Sequence, residues 1–98
     1  MTMQTYYMEY DKSDLEKAIK LGFLYLESRD EIVGTIYVAP AMAKDIVLKM
    51  PGEVTFDYIP EGIGMLRTAY LKYLPSARNN EIIFINQNNT TELKLHLI

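Results

Sequence analysis

From residue 58 to residue 70 the chain reads YIPEGIGMLRTAY, a stretch in which two glycines, Gly62 and Gly64, stand just ahead of Arg67. Glycine costs about 1 kcal/mol relative to alanine inside a helix, so a pair at a helix start implies a steep turn or a close backbone approach. The chemistry that such a unit serves is anion binding. First-turn N–H groups lack internal partners and sit at the positive end of the helix dipole, so a phosphate can rest against Gly62, Ile63 and Gly64 with Arg67 one turn further in. The plainer alternative is a tight turn over residues 60–62, a packing role for Gly64 and a solvated Arg67. The glycine spacing and Lys-Ser/Thr pair of a P-loop are missing, as is the third glycine of a dinucleotide fingerprint, and no cofactor is implied.

Other reactive groups are sparse. The chain has no cysteine, which excludes disulfides and thiolate metal sites, and its single histidine, His96, argues against a His-rich metal cluster and against a Ser/His/Asp triad. Asp57 and Glu61 flank the glycine turn as a candidate carboxylate pair, but alternation puts Asp57 on the face opposite Tyr58 and no histidine stands near. Asp11, Asp14 and Glu16 gather at a helix start, where acids complement the dipole more readily than they build a cation site. No catalytic residue and no metal ligand is assigned. A net charge of −3 speaks against a strongly basic nucleic-acid groove and is too small for a DNA mimic.

The elements that must position these groups follow from periodicity. Residues 3–10, MQTYYMEY, are aromatic and β-prone with apolar groups on both alternating faces, as in a strand that is covered or paired with another subunit. Ser13 ahead of Glu16 forms a capping box for a helix over 14–26, with Leu15, Ile19, Gly22 and Leu26 on one face. EIVGTIYVAP, ended by Pro40, and EVTFDYI read as strands. Between them AMAKDIVLKM fits a short helix with Met42, Ile46 and Met50 inward, or an extended DIVL. Ile63, Leu66, Tyr70 and Tyr73 or Leu74 recur at helical spacing up to Pro75, which predicts a helix opened by the glycines. EIIFI and TELKLHLI flank the turn-rich NQNNT as a C-terminal β-hairpin, with Leu93, Leu95 and Leu97 inward and His96 on the solvated face. The overlapping sequons at Asn88 and Asn89 matter only in a secreted chain.

From Ile36 onward, IYVAPAMAKDIVLKMPGEVTFDYI resembles the opening of the small viral ring nucleases, anti-CRISPR proteins that degrade cyclic tetra-adenylate. EGIGMLRTA is similar to that family's segment in which an Ile-Gly pair opens a helix, with Ile63, Gly64, Thr68 and Ala69 matching, and the resemblance extends over about residues 35–98. It implies a viral or phage protein acting against host defence. Its departures are chemical: the family's catalytic histidine falls on Met65, its loop serine on Ala43, and its arginine before the last strands has Arg78 as nearest candidate. A thioether cannot serve as a general acid, a role commonly worth a factor of about 100 to 10,000.

The sequence therefore predicts one domain over residues 1–98, an α+β or α/β sandwich with a mixed sheet of four to five strands and two to three helices. Its expected function is non-catalytic binding of an anionic, nucleotide-like ligand, such as a cyclic oligonucleotide, at Gly62, Ile63, Gly64, Arg67, Thr68 and Arg78. Two alternatives stand beside it. One is an assembly protein working through exposed strands and the eight tyrosines, Tyr6, Tyr7, Tyr10 and Tyr25 among them. The other is a phosphodiester-cleaving enzyme with Arg67, Thr68 and Arg78 stabilising charge. A homodimer is expected, a host protein is a further candidate partner, and the lack of a signal-peptide pattern or an apolar run of about 18 residues predicts a cytoplasmic chain.

Overall fold

The computed structural model describes residues 3–98, and along them nine elements follow one another. In β1 (Gln4–Tyr10) Tyr6, Met8 and Tyr10 turn to the core and Thr5, Tyr7 and Glu9 away from it. Helix α1 (Leu15–Glu27) buries Leu15, Ile19, Phe23 and Leu26 along one stripe. Its cap is Asp14, whose carboxylate accepts the Lys17 N–H at 3.1 Å. The expected cap, Ser13, instead donates its N–H to Asp11 at 2.9 Å, and this bond, with the Ser13 hydroxyl, holds the Asp11 carboxyl below its usual range. Strand β2 (Val33–Val38) leads into α2 (Pro40–Lys49), where Pro40 occupies a first-turn position that needs no N–H partner.

The next segment overturns the expected third helix. Residues 53–59 shorten to β3 (Val54–Phe56), and the predicted helix is a hairpin of β4 (Gly62–Leu66) and β5 (Ala69–Tyr73) turning at Arg67 and Thr68. The bulge between Gly62 and Gly64 lets Ile63 and Leu66, three residues apart in one arm, both pack on the core, while Tyr70 is exposed and Leu74 joins the cluster on the opposite face, so the spacing imitates a helical repeat without a common helical stripe. Pairing with β2 decides between the two readings, because β5 joins that central strand along its length. Gly64 lies in the bulge of β4 with φ of 154°, and a Cβ there would overlap the Thr55 carbonyl. The expected terminal hairpin is present as β6 (Glu81–Asn86) and β7 (Thr91–Leu97).

The result is one seven-stranded mixed sheet, ordered β1-β7-β6-β2-β5-β4-β3, with two helices, in place of four to five strands and two to three helices. β1 runs parallel to β7 and β2 parallel to β5; the other neighbours are antiparallel. Both helices lie on one face, over Ile36, Leu71, Phe84 and Leu95. Gly22 lets α1 descend onto the Phe84 ring, where a Cβ would collide. Among the described residues the other face carries no helix; it holds a small cluster of Ala39, Ala77, Ile83 and Ile85 that Met3, Tyr37 and Leu74 complete.

At one end of the sheet a polar knot ties the β6–β7 turn to the α1–β2 loop. Buried Asn86 accepts the N–H groups of Thr90 and Thr91 at 2.8 and 3.0 Å and donates to Thr90 and Glu31, and the Thr91 hydroxyl donates to the same Glu31 oxygen at 2.5 Å. Arg29 then links Glu31 to Tyr6, with its guanidinium 4.6 Å from the Tyr6 ring centre. Every member has a partner, as a buried polar network requires.

Candidate functional site

The six residues expected to share an anion site do not share one. Gly62, Ile63 and Gly64 lie inside β4, where no helix starts, and the Ile63 carbonyl accepts the Asp57 N–H at 3.1 Å. Arg67 is committed elsewhere. Its N–H donates to the Glu53 carbonyl at 3.0 Å, its Nη2 approaches the Glu53 carboxylate to 3.1 Å, and its guanidinium lies 5.0 Å from the Phe23 ring centre. Thr68 stands in the turn before β5 and Arg78 in the connection after it, so these two occupy opposite ends of that strand. The positions matching the resembled family's histidine and serine are also apart: Met65 lies on the helix-free face, and Ala43 is buried on the inner side of α2, against the opposite face of the sheet. Asp57 turns its carboxylate onto the Tyr58 N–H at 2.8 Å and pairs with no cation among the described residues.

A different cluster of polar and aromatic side chains lines a groove on the helix-free face. In β7, Leu93, Leu95 and Leu97 are buried toward the helices, which sends Glu92, Lys94 and His96 to the open side. Parallel pairing brings Tyr7 opposite Lys94 and Glu9 opposite His96, while β6 sets Glu81 on the other flank of His96. Residues 74–80 form the remaining wall with Ser76 and Arg78. That connection is anchored by the Leu74 N–H on the Val38 carbonyl at 2.9 Å, by buried Ala77 against Ile83, and by the Leu97 N–H on the Asn80 carbonyl at 2.8 Å. Together these side chains line an open groove of about 660 Å³.

Its electrostatics are mixed. Arg78 and Lys94 are fixed cations, Glu9 and Glu81 are acids, and none of the four takes part in the three ion pairs found among the described residues. The Tyr7 ring is 77% exposed at the rim and offers a flat stacking surface. Such a groove is suited to a ligand with an anionic group for the two cations, hydrogen-bond donors for the carboxylates and a ring for Tyr7. His96 is thus a wall of a groove, where the sequence predicts a merely solvated residue. One histidine would suffice for a triad, so its count alone decides nothing; among the described residues, however, no hydrogen bond joins Ser76, His96 and a carboxylate, and no His, Asp and Glu cluster has metal-binding geometry. Likewise no helix among them is long and apolar enough to cross a membrane.

Only Arg78 connects the expected site to this one. Alternation along TELKLHLI already places Lys94 and His96 on a common face, but Tyr7 and Glu9 reach it through pairing of the two ends of the chain, for which residues 3–10 contain no local signal. No protein-family model matches the chain, and no curated protein or solved structure is significantly similar to it.

Proposed function

We propose that this chain is a non-catalytic binding protein that holds an anionic, nucleotide-like ligand on the helix-free face of its sheet. The observation that carries this reading is the convergence of Arg78, Lys94 and the exposed Tyr7 ring on one groove of about 660 Å³, within the size range of small-molecule sites. The two cations suit phosphate oxygens, Tyr7 suits a base, and Glu9 or Glu81 suits a base's exocyclic amine. An intracellular setting accords with such a ligand. The test is thermal unfolding with nucleoside mono- and diphosphates and with pyrophosphate. Ligand at about 100 times its dissociation constant adds about 2.7 kcal/mol of stability, and Arg78→Ala or Lys94→Ala should each lose most of the shift. A flat response to every member of that panel removes the reading.

A second copy of the chain is the other partner with a specific observation behind it. Among the described residues the outer edge of β1 is unpaired over seven residues, with no proline, lysine or bulge to discourage pairing. An antiparallel β1–β1 pair would extend the sheet into a homodimer and bring Tyr7, at the strand's midpoint, beside its own equivalent.

A further inference from the structure

Across the helix-free face one row of side chains differs from its neighbours. Tyr7 stands opposite Lys94, Lys94 opposite Ile83, Ile83 opposite Tyr37, and Tyr37 opposite Lys72. Two rings and two lysines thus share a row free of acids. The acids of this face lie to either side: Glu9 and Glu81 flank His96 in one neighbouring row, and Glu92 occupies the other, its carboxylate accepting the Thr5 hydroxyl at 3.1 Å. The total charge of −3 therefore does not describe this strip.

The row connects two recesses. At one end is the groove beneath Arg78; beside the other is a hollow of about 300 Å³ lined by Thr35, Met65, Thr68, Tyr70, Gln87 and Asn89. Tyr70, two residues before Lys72 and therefore in the adjoining row that holds Glu92 on β7, is 47% exposed there, and the Lys72 ammonium lies 5.5 Å from its ring centre. The row crosses five adjacent strands, about 19 Å at the usual spacing of about 4.8 Å. That length suits a single-stranded site of about four nucleotides.

Resting on the reading of the groove as a nucleotide seat, we infer that the ligand is a short single-stranded nucleic acid laid across the sheet from Tyr7 to Tyr70. Phosphates follow Arg78, Lys94 and Lys72 while bases stack on exposed tyrosines. Tyrosine faces tolerate any base and the row offers no set of donors and acceptors to read one, so binding is weakly sequence-dependent. Charge complementarity favours this occupant over an apolar peptide, because the lysines punctuate the row.

Fluorescence anisotropy of the full chain at low salt tests this, using thymidine monophosphate and oligothymidylates of increasing length as competitors of a labelled oligothymidylate. Affinity should rise with length up to about four nucleotides and then level off. Tyr70→Ala should weaken the tetranucleotide at least about fivefold with Tyr70→Phe restoring it, and Lys72→Ala should lower the salt slope by about 0.7. Neither variant should alter the affinity of the mononucleotide, and unchanged thermal melts would show that both still fold. Equal affinity for mononucleotide and tetranucleotide, unmoved by Tyr70→Ala, overturns the track and leaves the groove. Absence of binding by all of them overturns both.

Discussion

Arg67 and Glu53 are joined twice, once through the backbone at 3.0 Å and once through guanidinium and carboxylate at 3.1 Å. The second Glu53 oxygen is buried without a hydrogen-bond partner, so the carboxylate leans on this single cation. Arg67 therefore serves the fold. Arg67→Ala should cost about 1–2 kcal/mol in urea unfolding, above the norm for a surface pair because it also removes the contact with Phe23. Nucleotide affinity should be unchanged; a loss of affinity without loss of stability would return Arg67 to the binding site.

Two glycines should resist replacement for different reasons. Gly22→Ala gains about 1 kcal/mol in helix propensity, yet its methyl meets the Phe84 ring in a closed core, where overpacking commonly costs about 1–3 kcal/mol. Net destabilisation is expected. Gly64→Ala adds backbone strain to a clash with β3 and should cost more than Gly22→Ala. Chemical denaturation of both variants checks the order.

Asn86→Ala should be among the most damaging polar changes. It leaves the Thr90 and Thr91 N–H groups without their acceptor and takes one donor from Glu31, a loss of about 2–3 kcal/mol. Slowed exchange of those two amide protons in the wild type, and its loss in the variant, is the direct readout.

The unpaired β1 edge gives an expectation about mass. Light scattering should find twice the 11.3 kDa of the chain, with a monomer at high protein concentration contradicting edge pairing.

How far the sequence could be read depends on the range of the contacts. Helix α1, the β6–β7 hairpin and the inward leucines of β7 rest on local periodicity and were legible to within a residue or two. The β4–β5 hairpin was not. Its turn carries Arg67, with φ of 55°, and Thr68, neither of them the glycine or asparagine that advertises a two-residue turn, and its apolar spacing mimics a helix. The same mimicry displaces the candidate site: at a helix start Gly62 and Gly64 would cradle a phosphate, whereas in β4 Gly64 makes room for β3. Tyr7 and Glu9 are hidden for another reason, since β1 and β7 pair in parallel from distant parts of the sequence and neither strand carries a signature of that pairing.

The location of the ligand is tested most directly by amide chemical shifts during titration of the labelled chain with a nucleoside diphosphate. The expected result is a set of saturable shifts confined to Tyr7, Ser76, Arg78, Lys94 and His96 and their strand neighbours, with residues 62–68 unmoved. Shifts centred on Gly62, Gly64 and Arg67, or no saturable shift at all, would contradict a binding site on the helix-free face.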